Sequence, residues 1–331
     1  MIDPRDGETF AAWYAAIQAT QQDLWPGEPG WQLGELRAQA LAEDAADRTE
    51  CLAAVEDTGA VAGSLLVRSP MLDNKHLVTA ELYVHPECRR RGTGSALLAA
   101  LEKRAVEDGR TVVLVEQEEP NRLGIPSPER AFALAHGYEC AQLDLRSDLP
   151  LPVESVRLVA LEATCAPMAR DYEIVTWTER CPDEYVEGRA VLGRSISTDI
   201  PLGDLALEPE VWDVERVRRG EALAQAQGRR LLGAGAVHRD TGRLVAYTEL
   251  HVPGAAPERA YQWDTIVLAE HRCHRLGTLV KMANLRQLGA VSPATTKVTT
   301  WNADDNKPMI AVNTALGFAV VGADLEWQKH L

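Results

Sequence analysis

The chain has 331 residues, more than one domain of ordinary size needs, and suits two domains of about 150 residues each. Its 34 Lys and Arg residues against 49 Asp and Glu residues give a formal net charge of -15, which disfavours binding to nucleic-acid phosphates. It has no apolar run of about 18 residues and no secretory signal at its start. We therefore expect a cytoplasmic protein that binds neither membranes nor nucleic acid.

Cysteines and histidines give no indication of a metal site. The six cysteines are widely spaced and form no CxxC pair, so neither a zinc site nor a disulfide framework is predicted. His271 and His274 lie close in sequence, but no third ligand follows at a suitable spacing. We expect no metal.

The same order of predicted elements occurs twice, offset by about 180 residues. In the first copy, apolar and β-branched patterns predict strands over 51–55, 60–67 and 77–84, a helix over 93–105, a strand over 111–116 and a helix over 128–135. In the second copy, they predict strands over 172–177, 231–237, 244–252 and 261–268, a helix over 276–288, a strand over 297–301 and a helix over 307–316.

A proline-containing break at 148–152 and a predicted connecting helix over 153–170 separate the copies. The expected division is a first domain over 1–150, a linker over 151–170 and a second domain over 171–331. Strands that alternate with helices and include hairpins predict two α/β domains, each with a mixed, partly antiparallel sheet flanked by helices. The first copy has no counterpart of strand 172–177, which is either missing or supplied from elsewhere.

A glycine-containing loop joins the strand that ends at Val84 to the helix that starts at Thr93. Such a loop directs several free backbone N–H groups at one point beside the positive end of a helix dipole, where a pyrophosphate can bind. Its spacing fits neither GxxxxGK[ST] nor GxGxxG, which disfavours a nucleoside-triphosphate or dinucleotide site.

The pattern R-x-x-G-x-G after a strand ending in L-x-V-x-P resembles the coenzyme A signature of the GNAT superfamily of N-acetyltransferases. The resemblance implies acetyl-CoA as the acyl donor. It implies that the pantetheine arm lies along the backbone of Leu82, Tyr83 and Val84. It also implies that the pyrophosphate binds the loop residues Arg89, Arg90, Arg91, Gly92, Thr93, Gly94 and Ser95.

The second copy matches the family less closely at the loop and more closely in the segment that begins at Asn306. The equivalent coenzyme A residues are Thr265, Ile266, Val267, Arg272, His274, Arg275, Leu276, Gly277 and Thr278. Arg275 replaces the first glycine. Asn306 matches an asparagine that contacts coenzyme A in the family, where the first copy has Pro126. The family's tyrosine, which protonates the departing thiolate, is replaced by Ala133 and Asn313.

Carboxylates are the candidates for moving the amine's proton, a step that needs a titratable side chain. Glu81 aligns with Asp264, each placed just before the coenzyme A strand segment, and Glu249 and Glu326 are further candidates in the second half. A solvent-facing structural role is the alternative for this pair. A polar turn over 195–204 offers Ser195, Thr198 and Asp199 as acceptor-binding residues, with an ordinary loop as the alternative.

The sequence therefore predicts an acetyl-CoA-dependent N-acetyltransferase in which a primary amine of a small molecule attacks the thioester directly. Asn306 and the polar turn favour the second half as the active centre. The tandem layout is similar to that of mycothiol synthase, and both a monomer and a homodimer remain open. The alternative function is a non-catalytic acyl-CoA-binding or dimerisation module, which the two missing tyrosines suggest.

Overall fold

The computed structural model describes residues 1–42, 46–120, 127–199 and 201–331. Its helices are α1 (Gly7–Leu24), α2 (Leu33–Leu41), α3 (Thr93–Glu107), α4 (Pro128–Ala135), α5 (Ser155–Cys165), α6 (Val186–Asp199), α7 (Val214–Ala226), α8 (Leu276–Val291) and α9 (Lys307–Leu316). Its strands are β1 (Asp47–Val55), β2 (Val61–Pro70), β3 (Leu77–Val84), β4 (Val112–Pro120), β5 (Glu139–Pro150), β6 (Tyr172–Thr178), β7 (Arg229–His238), β8 (Leu244–Pro253), β9 (Arg259–Val267), β10 (Lys297–Ala303) and β11 (Ala319–His330).

The mixed α/β class predicted from the sequence is confirmed. Strand β3 and helices α4 and α9 have the predicted bounds, and most other elements extend a few residues beyond them. The connecting helix is shorter, because α5 stops at Cys165 and a short 3-10 turn over Ala166–Met168 follows. Strand β5 was not predicted, since its residues alternate polar and apolar weakly and end in the Pro-containing break.

The chain forms two compact units. Unit 1 comprises Met1–Asp144, Leu202–Glu208 and Gly322–Leu331, and unit 2 comprises Leu145–Pro201 and Pro209–Val321. In this division residues 145–150 and the expected linker 151–170 belong to unit 2, whereas residues 202–208 and 322–331 belong to unit 1. No helix in the described ranges is long and apolar enough to cross a membrane.

Unit 1 has the strand order β1-β2-β3-β4-β11. Strands β1, β2 and β3 are antiparallel neighbours, β3 and β4 are parallel, and β11 pairs antiparallel with β4 over Gly322–His330. The described residues before β1 form helices α1 and α2, so no strand opens this unit. Strand β11 does not fill that place, because β6 of unit 2 pairs with β7, the counterpart of β1, whereas β11 pairs with β4 at the other edge of the unit 1 strands, which would otherwise be unpaired.

Apolar side chains cover both faces of the unit 1 sheet. Helix α3 packs Leu97, Leu98 and Leu101 against one face, in a core that includes Leu325 and Trp327 from β11. The other face is covered by α1 and α2, in a second core of Phe10, Trp13, Ile17, Leu36, Cys51 and Leu66. Asp6 caps α1 by accepting hydrogen bonds from two first-turn amides.

Unit 2 repeats this plan with an additional opening strand, in the order β10-β9-β8-β7-β6. Strands β6 to β9 form an antiparallel series, and β9 pairs parallel with β10. Helix α8 packs Leu276 and Val280 against the middle of the sheet, as α3 does in unit 1. The repeated order of strands and helices predicted from the sequence is thus present in both units.

Candidate active site

Strands β3 and β4 of unit 1 separate halfway along their length. Their parallel pairing runs from Leu77 opposite Val112 to Ala80 opposite Val115 and then stops. Beyond that point β3 continues to pair only with β2 on its other side, up to Val84. Backbone groups of residues 81–84 therefore face an opening between the two strands, where an extended ligand can form strand-like hydrogen bonds.

The loop after β3 has the shape needed to present amides to an anion. Arg90 and Gly92 have positive φ angles of 63° and 87°, and helix α3 begins at Thr93. The amides of Thr93, Gly94 and Ser95 lie in the first turn, where helical amides have no intrahelical acceptor. Space is tight behind the loop, since a Cβ added at Gly94 would lie 3.2 Å from the Phe132 ring.

A cavity of about 490 Å³ joins the strand opening to this loop, and every residue that lines it belongs to unit 1. One end holds loop residues Arg89, Arg90, Gly92, Thr93, Gly94 and Ser95. The middle is formed by Leu82, Tyr83, Val84, Leu98, Phe132 and Ala133. The other end holds the carboxylates Glu81, Glu116 and Glu118. The cavity therefore combines a cationic anion-binding end with an acidic end.

The loop arginines differ in what they contact. Arg89 pairs with Asp23 at 2.7 Å, and Arg91 pairs with Glu56 at 3.4 Å. Arg90 and Arg91 are exposed, so their guanidinium groups are accessible to phosphates of a bound ligand.

Glu81 is held by three donors. Its carboxylate accepts hydrogen bonds from the Tyr83 hydroxyl at 2.5 Å and from the indole N–H of Trp31 at 3.1 Å, and pairs with Arg68 at 3.1 Å. Burial and the adjacent Glu81 carboxylate raise the pKa of Tyr83 well above its usual value, so the phenol stays neutral. These three contacts fix the position of the Glu81 carboxylate.

Glu116 is the carboxylate best suited to accept a proton. It lies beside Glu81, with which it shares Arg68 at 3.2 Å, and its side chain is 36% exposed into the cavity. Its enclosure in the protein and the neighbouring Glu81 carboxylate together raise the pKa of Glu116 to about 7. A base with this pKa is effective near neutral pH.

The corresponding loop of unit 2 has the same backbone shape with different side chains. Cys273 and Arg275 adopt positive φ angles of 68° and 59°, as Arg90 and Gly92 do, and helix α8 starts after Arg275. Arg275 thus keeps the glycine's conformation, at a cost of about 1 kcal/mol for a residue with a Cβ. Arg272 donates to the carbonyl of Val267 and pairs with Asp199 at 2.7 Å.

The carboxylates predicted as catalytic in unit 2 are bound to other side chains. Asp264 accepts a hydrogen bond from the Tyr247 hydroxyl at 2.7 Å. Glu249 binds His251 at 2.6 Å and lies 3.6 Å from the buried Arg189. Burial opposes ionisation, but the His251 hydrogen bond and the Arg189 charge outweigh it and lower the pKa of Glu249 to about 2. Such a carboxylate is a poor base at neutral pH.

A buried amine occupies the position in unit 2 that corresponds to Leu98 in unit 1. Lys281 on α8 is 2% exposed and donates a hydrogen bond of 2.9 Å to Asn313, which aligns with Ala133. Asn313 in turn donates to Asn302 at 2.6 Å. Burial lowers the pKa of Lys281 to about 7. Two apolar residues that line the cavity in unit 1 are thus replaced by a polar pair in unit 2.

The remaining residues predicted to bind coenzyme A in unit 2 have structural contacts. Asn306 caps helix α9 by accepting a hydrogen bond from the Met309 amide. Thr265 bonds to Thr248 at 2.7 Å. His274 lies against the carbonyls of His271 and Arg272. Ile266, Leu276 and Thr278 are buried, and a Cβ added at Gly277 would lie 3.9 Å from Val267. Pro126, the first copy's counterpart of Asn306, lies outside the described residues.

The polar turn expected over 195–204 is a helix in its first part. Helix α6 runs to Asp199, and its residues Ser195 and Thr198 donate to the carbonyls of Val191 and Ser195 within the helix. Hydroxyl groups that hydrogen-bond their own helix are less available to an acceptor. The predicted turn is therefore wrong over 195–199, because Ser and Thr residues, which are common in turns, here hydrogen-bond to carbonyls of their own helix. Ile200 lies outside the described residues.

Sequence reasoning missed Glu116, Glu118 and Asp324. The signal was present, because carboxylates two residues apart on a strand lie on the same face of the sheet. Glu116 and Glu118 follow this spacing on β4, as Asp324 and Glu326 do on β11. The predicted strand stopped at Glu116, so the pair was not recognised.

Comparisons with known proteins agree with the fold and the loop. Residues 11–126 match the model of the acetyltransferase (GNAT) family. A tandem GNAT protein from the clavulanic acid biosynthesis pathway, solved without AcCoA, superposes with a TM-score of 0.81 at 28% identity, covering 99% of this chain and 97% of that one. A GCN5-related N-acetyltransferase from Sphaerobacter thermophilus has a TM-score of 0.65 at 15% identity, covering 99% and 94%. No curated protein sequence matches significantly.

Residues 11–126 thus match the GNAT acetyltransferase family, and the chain as a whole is similar in fold and length to a tandem GNAT protein.

Proposed function

We propose that the protein transfers an acetyl group from acetyl-CoA to a primary amine of a small molecule, and that the reaction takes place in unit 1. The observation that supports this most strongly is the cavity that joins the α3 loop to Glu116. This placement of the reaction in unit 1 differs from the sequence-based expectation that the second half holds the active centre.

The residues of unit 1 fit coenzyme A. The amides of Thr93, Gly94 and Ser95 suit the pyrophosphate, and a Cβ added at Gly94 would lie only 3.2 Å from the Phe132 ring. The unpaired edge at residues 82–84 suits the pantetheine amides. When bound, acetyl-CoA supplies the acetyl group as a thioester, which an amine can attack.

The proton leaves the amine through Glu116 in this proposal. A primary amine enters at the acidic end of the cavity, where carboxylates attract its ammonium form. Glu116 removes a proton from the nitrogen, directly or through one water, which frees the lone pair for attack. Arg68 holds Glu81 and Glu116 together and limits the repulsion between them. Ala133 has no proton to give, so the departing thiolate is protonated by water.

Unit 2 has a structural role in this proposal. Lys281 and Asn313 occupy the positions of Leu98 and Ala133, and Glu249 is a weak base. The alternative function, a non-catalytic acyl-CoA-binding module, differs from this proposal in that no amine would release the thiol.

The test follows free thiol while the protein is incubated with acetyl-CoA and a panel of primary amines. We expect Glu116→Gln to lower kcat by about 10²- to 10⁴-fold while acetyl-CoA binding is retained. The matched control, Glu249→Gln in unit 2, should keep nearly the full rate. Full activity in Glu116→Gln, or loss of activity only in the Glu249 variant, would refute the placement of the reaction in unit 1.

A further inference from the structure

Carboxylates at the acidic end of the unit 1 cavity lie opposite two further carboxylates on strand β11. In the antiparallel register of β4 and β11, Glu116 lies opposite Glu326 and Glu118 lies opposite Asp324. All four side chains are on the same face of the sheet as Glu81. Five carboxylates from three strands thus share one face.

Two like-charged pairs in succession across neighbouring strands destabilise a sheet. Arg68 offsets the charge of Glu81 and Glu116, whereas Asp324 and Glu326 have no ion-pair partner among the described residues. The Oδ1 atom of Asp324 is enclosed by protein and accepts no hydrogen bond. Burial and the neighbouring carboxylates raise the pKa of both Asp324 and Glu326 well above the usual values.

One carboxylate is enough to take the proton from an amine, so the others require a different explanation. Asp324 lies opposite Glu118, which lines the cavity, and an enclosed carboxylate oxygen without a donor is a position for a donor carried by a ligand. A second ammonium group would supply both the missing hydrogen bond and the missing charge.

We propose that the acceptor is a short aliphatic diamine or oligoamine, whose second ammonium group binds between Glu118 and Asp324 while the first amine is presented to Glu116. Glu116 and Glu118 are two residues apart on β4, a separation of roughly 7 Å in an extended strand. A four-carbon diamine spans about this distance. The inference rests on the proposed function, since it specifies the acceptor for the same site.

The test compares two amines of equal length that differ in the second charge, putrescine and n-butylamine. Isothermal titration calorimetry with the full chain should show about tenfold or tighter binding of putrescine than of n-butylamine. Asp324→Asn and Glu118→Gln should each reduce putrescine binding to the level of n-butylamine. The matched control is Glu173→Gln, which removes an exposed carboxylate on β6 of unit 2.

A second readout separates ligand binding from a purely structural role. If Asp324 faces uncompensated repulsion, Asp324→Asn and Glu326→Gln should raise the Tm of the amine-free protein by about 1–3 °C. A residue that stabilises the fold would instead lower Tm when it is replaced. Putrescine should raise the Tm of the unsubstituted protein and have little effect on Asp324→Asn.

Equal affinity for the two amines, or unchanged putrescine binding in both Asp324→Asn and Glu118→Gln, would overturn this inference. Acetyl-CoA binding and thiol release with n-butylamine are measured in the same preparations. If a monoamine is acetylated but putrescine is not preferred, the diamine inference fails and the proposed function stands. If putrescine binds selectively but no amine releases thiol, the proposed function fails instead.

Discussion

The buried amine of Lys281 makes the stability of unit 2 depend on pH. Burial lowers its folded-state pKa to about 7, below the usual lysine value of 10.5, and the side chain is 2% exposed. Between these two values the unfolded chain binds one more proton than the folded one, so the free energy of unfolding rises with pH. The slope from one such group is about 1.4 kcal/mol per pH unit, or about 2 kcal/mol from about pH 7.5 to 9.

Lys281→Met should remove this pH dependence. The variant retains the side-chain length but cannot titrate, so the wild-type curve minus the variant curve isolates the contribution of the amine. The substitution also leaves the Asn313 side-chain oxygen without its Lys281 donor, which lowers the variant's free energy of unfolding by about 1–3 kcal/mol. The control for that cost is the double variant Lys281→Met with Asn313→Ala, which resembles the Leu98 and Ala133 arrangement of unit 1.

Urea unfolding, followed by circular dichroism and tryptophan fluorescence at several pH values, measures these slopes. We expect both variants to have a shallower slope than the wild-type protein between about pH 7.5 and 9. If the wild-type protein and Lys281→Met have the same slope, the amine is charged in the folded state and the reasoning is refuted.

Two further predictions concern unit 1. Deletion of residues 322–331 removes the strand paired with β4. We therefore expect the α3 amides to lose protection from hydrogen exchange while the β6–β9 amides keep theirs. Equal loss of protection in both units would contradict this. Gly94→Ala places a Cβ 3.2 Å from Phe132 and should weaken acetyl-CoA binding about tenfold in calorimetry, whereas Gly277→Ala, with its nearest neighbour at 3.9 Å, should have little effect. The reverse order of effects would indicate that unit 2 binds the donor.

The loop and the repeated elements could be read from the sequence because their signals are local. A strand, a glycine turn and a helix N-terminus lie within about fifteen residues, so the backbone geometry of the loop from Arg89 to Gly94 can be predicted from its local sequence. The helix bounds at 128–135 and 307–316 were set by the apolar period, with Gly137 or Gly317 shortly after each helix.

The choice between the two units needed contacts that are distant in sequence. Asn306 and the polar turn made the second half look more complete, yet Asn306 caps a helix and Thr198 lies within one. Lys281 is unremarkable as a sequence feature, since most lysines are exposed. Its burial against Asn313 depends on the packing of α8 against α9.

The sequence alone determined the family resemblance, the two copies and the glycine-containing loop, because each depends on residues that are neighbours along the chain. Only the tertiary structure decided that the last strand completes unit 1 and that Glu116 and Glu118 face Glu326 and Asp324. Strand pairing between residues some 200 positions apart is fixed by the packing of the whole unit, and no local pattern specifies its register.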